Sequence, residues 1–432
     1  MLRLLVIVET LALLVGGALL IALPRHVSDG PRAALRPSPS APPSPPPVPV
    51  VAKEESPKPL QRCFPGDLGS SPPRSLAEVL DRAADRFDAE DFGGSLACAE
   101  EAARTDPRSV EAHHDRAAAL QELGRLDEAR DAFARALALD PDDPETLAGA
   151  ADLYINRLAP SSDHSEIGLE LARRGSLRLR HRHAGAASQG GSASVDRSLA
   201  ARLALLEGQA LNDLGRSRDA LSRLEAAVAT LPEGGADGQR VRYERSSALF
   251  ELCRFEDAKQ GFLDVLKTSP DDAWAHHHLG LVQERLGDAA GAEREFAAAL
   301  RLAPNDFKPP VLVSPTEFRA LVDTEVARLP APLAADLRAV RLETADLPDL
   351  DDLTAEEPPL SPTILGLYRG APLGDPTADP ADPRTIVVYR KNLGRAVASR
   401  EELVSQIRTT LLHELGHVRG EDDEALRARG LE

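Results

Sequence analysis

The sequence predicts a mainly helical chain: a long array of paired helices, then a small α+β domain, behind an amino-terminal transmembrane helix. Three observations carry that reading. Prolines and small residues recur with a period of 34 through the middle of the chain. Residues 4–23 form one apolar run, long enough at about 1.5 Å per residue to cross a bilayer. Near the carboxyl end, short β-branched runs are followed by a capped amphipathic helix that bears two histidines and a glutamate.

Composition agrees with this and narrows the function. The 432 residues include 42% hydrophobic and 28% charged side chains, ordinary for a folded chain of two or three domains. With 51 basic against 69 acidic residues the formal charge is -18, which argues against nucleic acid as a partner because phosphate binding needs a cationic face. Aromatics at 3% are too few for a β-sandwich or a base-stacking surface. Cys63, Cys98 and Cys253 lie far apart with no CxxC pair, so neither a disulfide framework nor a thiolate zinc site is expected.

The first element, residues 1–23, contains LLVIVETLALLVGGALLIAL, apolar apart from Glu9 and Thr10. Its length favours an uncleaved anchor over a signal peptide, and Pro24 and Arg25 follow with no clean A-x-A site. The chain is therefore expected to be held at a membrane with its remainder on the extracytoplasmic side. Arginines flank both ends of the segment, so the positive-inside rule leaves the orientation open. Residues 24–73 hold eleven prolines between Pro31 and Pro59 and read as an extended, solvated linker.

Residues 74–306 carry the period. Pro107 and Pro141 are 34 residues apart, as are Pro270 and Pro304, and Pro232 closes a similar unit. Twelve residues before each proline stand Ser95, Ala129, Ala220, Ala258 and Ala292, small side chains where two helices must approach closely. Seventeen before stand Gly124, Gly215 and Gly287, suited to a helix–helix turn with φ > 0. These features, clearest in QELGRLDEARDAFARALALDPDD and QERLGDAAGAEREFAAALRLAPND, resemble the tetratricopeptide repeat family. Five units are clear. A sixth, degenerate one begins near Ala151 and is interrupted by LAPSSDHS, and a Gly- and Ser-containing loop is expected at 181–194. The resemblance implies a solenoid whose concave face binds a protein partner. His276, His277 and His278 point about 100° apart around a helix and are expected to pack rather than share a metal.

Residues 310–432 change character. SPTEFRALVDTEVARL reads as a helix capped by Ser314, with a second short helix near 331–340 and an acidic stretch at 345–362 that is expected to overhang the cleft. TILGLYRG (363–370) and TIVVYRKNL (385–393) read as strands, the second offering an edge at Thr385–Tyr389 for an extended substrate. A helix then starts at Ser399, with Glu402 completing a capping box, and puts Leu403, Ile407, Leu411, Leu415 and Val418 on one face.

On another face of that helix, His413-Glu414-Leu415-Gly416-His417 spells H-E-x-x-H. A spacing of four sets both imidazoles on one side, one turn apart, as two ligands of a tetrahedral Zn2+ require. Glu414 stands beside them as the catalytic base that takes a proton from the water. Gly420 can turn the chain, and Asp423 falls where a third ligand belongs. Glu421, Asp422 and Glu424 are the alternatives; a glutamate on a later helix has little room in the 15 residues after His417.

From about 314 onward the sequence resembles the small bacterial zincin-like metallopeptidases with an HExxHxxGxxD motif. That resemblance implies a compact α+β zincin fold, bound zinc and hydrolysis of a peptide or protein substrate. The expected function is a zinc metallopeptidase whose repeats recognise substrate or partner. The alternative is a repeat scaffold whose zincin domain binds metal without proteolysis. With its own core, the array is expected to fold apart from residues 310–432.

Overall fold

The computed structural model describes residues 62–64, 75–185, 193–228, 236–376 and 383–431. The expected anchor at 1–23 lies outside the described residues, as does all of the linker except 62–64. Among the described residues no helix is long and apolar enough to cross a membrane.

Twelve helices build the array: α1 (Leu76–Asp88), α2 (Phe92–Thr105), α3 (Val110–Glu122), α4 (Leu126–Leu139), α5 (Pro144–Asp152), α6 (Ser162–Gly185), α7 (Ala193–Asp213), α8 (Ser217–Val228), α9 (Ala236–Glu251), α10 (Phe255–Thr268), α11 (Ala273–Arg285) and α12 (Ala289–Leu302). They pack in successive pairs, α1 with α2 through α11 with α12. Position −17 from each repeat proline is left-handed in all five clear units: Glu90 (φ 59°), Gly124 (72°), Gly215 (67°), Cys253 (57°) and Gly287 (83°). Each turn closes with the same bond, from the next N–H to the carbonyl five residues back, such as Arg125 to Leu120 at 2.9 Å and Arg254 to Leu249 at 2.9 Å. Small residues at position −24 are required by contact. A Cβ on Gly208 would stand 2.5 Å from Leu224, and one on Gly280 2.8 Å from Phe296.

Three expectations for the array are corrected. The degenerate unit is a full helix pair, α5 with α6, whose turn is a π-helical segment at Leu153–Arg157. The expected loop at 181–194 is shorter, because α6 runs on to Gly185 and α7 starts at Ala193. The cysteines are not all unpaired: Cys63 is disulfide-bonded to Cys98. Spacing carried no sign of this bond, which forms because residues 62–64 return to the open end of the solenoid. There Cys63 and Phe64 cover Val79, Leu80, Ala83 and Ala112. Cys253 is free, and burial pushes its thiol up to about 11. His277 stacks on Phe307 with centroids 4.8 Å apart, while His278 lies against Phe262 and Tyr243. Burial holds the His277 imidazole down at about 3, so this histidine is a neutral packing group.

The carboxyl-terminal part consists of α13 (Pro315–Ala327), α14 (Ala331–Leu337), β1 (Arg341–Ala345), α15 (Leu350–Leu353), β2 (Gly366–Arg369), β3 (Thr385–Tyr389), α16 (Arg390–Ala396), α17 (Arg400–Val418) and α18 (Asp423–Ala428). The sheet order is β1-β3-β2, with β1 parallel and β2 antiparallel to β3. Two strand expectations change. The expected strand 385–393 stops at Tyr389 and becomes α16, and β3 is central, so β2 and β1 supply the edges instead.

All five residues of β3 are buried, and they face two different neighbours. Ile386 and Val388 join Phe318, Ile407, Leu411 and Leu415 beneath α17. Val387 and Tyr389, with Leu367 of β2, join Leu249, Phe250, Phe255 and Val282 of the repeats. The sheet is thus a wall with the array on one side and α17 on the other, the two-sided burial that a continuous apolar strand signals. The acidic stretch packs on the array, where Leu353, Leu360 and Ile364 enter the same core and Glu357 pairs with Arg218. Beside it, Lys391 and Arg395 of α16 converge on Glu284 of α11 at 3.1 and 2.6 Å.

Candidate metal centre

α17 begins with the Ser399 hydroxyl accepting the Glu402 N–H at 3.1 Å, while the Glu402 carboxylate accepts the N–H of Ala398 rather than that of Ser399. Leu403, Ile407, Leu411, Leu415 and Val418 are fully buried on its apolar face. Thr410, His413, Glu414 and His417 are buried too, at 1–4% exposure, so the polar side of this helix points into the protein.

The helix ends in a Schellman turn. Gly420, at φ 82°, donates to His417 at 2.9 Å, and Glu421 donates to Gly416 at 3.0 Å. Asp422 then caps α18 by accepting from Ala425 at 2.9 Å. α18 folds back onto α17 because Leu426 fills the notch at Gly416, where a Cβ would stand only 2.2 Å from it. This reversal carries Asp423, the first residue of α18, to the two histidines.

His413 Nε2 and His417 Nε2 are 2.9 Å apart, and Asp423 Oδ1 lies 3.5 and 3.3 Å from them. Each ring is oriented from behind. His413 Nδ1 faces the Leu431 carbonyl at 2.5 Å, and His417 Nδ1 faces the Glu421 carbonyl at 3.0 Å. Those carbonyls accept only, so both Nδ1 atoms must donate, and the neutral rings then aim their Nε2 lone pairs at one point. Two lone pairs and a carboxylate oxygen facing one another call for a cation. Bonds of about 2.0–2.1 Å to a tetrahedral zinc would set ligand atoms about 3.3–3.4 Å apart, close to the spacing found. The donor set fits zinc. Burial raises the Asp423 carboxyl, but the imidazoles beside it outweigh this and hold it at about 2, so it is ionised.

Of the alternatives, Glu421 turns its side chain to Arg429 and Asp422 is spent on the cap of α18. The side chain of Glu424 lies outside the described residues. Among the described residues, His413, His417 and Asp423 are the one group with metal-ligand geometry. Sequence reasoning missed Gly416, whose place in a helix interior was the available signal. It also missed Gly366 of β2, which lies against Thr410 and Glu414.

Comparison with known proteins follows the same division. Residues 337–431 match the family model described as zincin-like metallopeptidase, and residues 110–143 and 243–307 match models of the tetratricopeptide repeat. No curated protein matches the chain. Among solved structures, PilW, a type IV pilus biogenesis factor, is 19% identical with a TM-score of 0.42 over 53% of this chain and 94% of its own. PilF of Pseudomonas aeruginosa is 15% identical at 0.41, over 53% and 92%. YrrB, a repeat protein with an unusual peptide-binding site, is 16% identical at 0.35, over 48% and 92%. The chain carries tetratricopeptide repeats followed, at its carboxyl end, by a zincin-like metallopeptidase domain.

Proposed function

We propose that the protein is a zinc-dependent peptidase that hydrolyses peptide bonds and uses its repeats to bind a protein substrate or partner. The observation that carries this is the convergence of His413, His417 and Asp423, with both rings oriented from behind and Glu414 beside them. When zinc is bound there, the chemistry it supplies is Lewis acidity toward the scissile carbonyl and acidification of water. Glu414 takes the proton of the attacking water on its carboxylate and returns it to the leaving amine nitrogen. β2 is the edge strand next to α17, so an extended substrate pairs there rather than on β3. Tetratricopeptide arrays are protein-binding solenoids, which supports the recognition role.

We also propose that residues 1–23 anchor the chain and that the rest lies in an extracytoplasmic compartment. The Cys63–Cys98 disulfide supports this, because such bonds persist where the surroundings are oxidising. The rival reading, a scaffold that binds metal without cleaving, is disfavoured by the intact Glu414 beside the histidines.

The test uses purified protein, metal analysis and a peptide library. The parent is expected to hold one zinc per chain and to cleave. His413→Ala should lose the metal, whereas Glu414→Gln should keep it and lose about 10²–10⁴-fold in rate. A zinc-loaded parent that cleaves no peptide, or a Glu414→Gln variant as fast as the parent, would replace the peptidase with the scaffold.

A further inference from the structure

Gly366 opens β2 opposite Val388 of β3. A Cβ at this position would stand 2.6 Å from Thr410 Cγ2, 2.7 Å from Glu414 Oε1 and 3.2 Å from Glu414 Cδ. Contacts below 3.0 Å demand that something move, and little here can. Thr410 is 3% exposed and Glu414 1%, and they lie one turn apart on the same face of α17. Thr410 is β-branched, so the helix allows it few χ1 choices. α17 is itself pinned further along by Leu426 in the notch of Gly416. The slot between β2 and α17 is therefore about the width of one carboxylate, walled by a strand backbone on one side and a methyl group on the other.

We infer that Gly366, with Thr410, is a positioning residue for Glu414: the absent side chain leaves one place for the carboxylate and so aims it at the water between substrate and metal. This rests on the peptidase reading above. It goes beyond close packing of strand on helix, because the atom nearest the missing Cβ after the Thr410 methyl is the oxygen that must handle the proton. The metal ligands lie outside the slot and are oriented by Leu431 and Glu421 from elsewhere, so perturbing it should leave them in place.

The test compares the full chain, Gly366→Ala, Thr410→Ser and the double variant. Three readouts are used: zinc per chain, kcat and KM on a library-derived peptide, and the Glu414 position in crystals of the zinc-loaded proteins. Gly366→Ala is expected to keep its zinc, to move the carboxylate and to lower kcat by about tenfold to a hundredfold, the effect of a misplacement near 1 Å. KM should change less than about threefold. Removing the methyl in the double variant should restore part of kcat, and Thr410→Ser alone, which loses a single methyl and should fold, should lower kcat a few-fold with zinc retained. A Glu414 that stays in place in Gly366→Ala, or a loss of rate that merely follows loss of zinc, overturns the inference. If Gly366→Ala does not fold, an unchanged kcat in Thr410→Ser overturns it instead. A parent without activity would sink the peptidase reading, while the crystals still decide whether Gly366 places the carboxylate.

Discussion

The two ends of the solenoid face the same physical problem and meet it differently. A stack of helix pairs leaves an apolar face open at each end, which must be covered for the array to stay soluble. At the amino-terminal end the cover is small and covalent: Cys63 and Phe64, held by the bond to Cys98, lie over Val79, Leu80 and Ala83. Toward the carboxyl-terminal end the cover is a whole domain, with Leu353, Leu360, Ile364, Leu367, Val387 and Tyr389 packed on repeats five and six. A short strap needs a cross-link because it buries little; a domain supplies enough apolar area without one. The zincin-like domain is thus also part of what completes the array.

Removing the larger cover should do the most damage. Burying an aliphatic or aromatic side chain is worth about 1.5–3 kcal/mol, so withdrawing six at once costs on the order of 10 kcal/mol, an upper estimate. A fragment ending at residue 309 is expected to melt far below the full chain, or to aggregate, in a thermal scan followed by circular dichroism. A melting temperature equal to that of the full chain would make the two parts separable modules after all.

Removing the smaller cover should be milder and local. Cys63→Ser with Cys98→Ser is expected to cost about 2–4 kcal/mol in denaturant unfolding. Zinc content should not change, since the bond lies at the far end from His413. A variant that also loses zinc would show the two ends to be coupled.

The finest comparison is between two turns. Glu90 and Cys253 are the non-glycine residues at the left-handed position that other clear units give to glycine. Glu90→Gly should stabilise by up to about 1 kcal/mol, because it removes a conformational penalty. Cys253→Gly should gain less or nothing: its Sγ reaches the Leu360 carbonyl at 3.9 Å and packs in the shared core, and that contact is lost. Equal gains in chemical denaturation would mean that the cysteine contributes nothing to the domain contact.

The repeats were readable because their constraints are local. A left-handed turn and a close helix approach each leave a small residue at a fixed distance from a proline, as Gly124, Gly215 and Gly287 do. The capped helix, its apolar face and the spacing of His413 and His417 were readable for the same reason. What the sequence concealed depends on distant neighbours. β1 carries Arg341 and Glu343 and looks unlike a strand, yet it pairs residue for residue with β3. The apolar run TIVVY announced two buried faces but not that a repeat covers one of them. Thirty-five residues of separation hid the bond between Cys63 and Cys98. Gly366 passed as an ordinary strand residue because its partner, Glu414, lies almost fifty positions away.

The alternation of β3 has a consequence for how such a chain can be inherited. Ile386 and Val388 answer to α17, while Val387 and Tyr389 answer to the array, so neighbouring codons serve two different clients. One inserted residue before Val387 would exchange the two faces and misfit both. A recombination event that traded this domain for a cousin would have to bring side chains shaped for Leu249, Phe250 and Phe255, however clean the junction near residue 309. Once joined in this way, the two ancestries are bound to drift together.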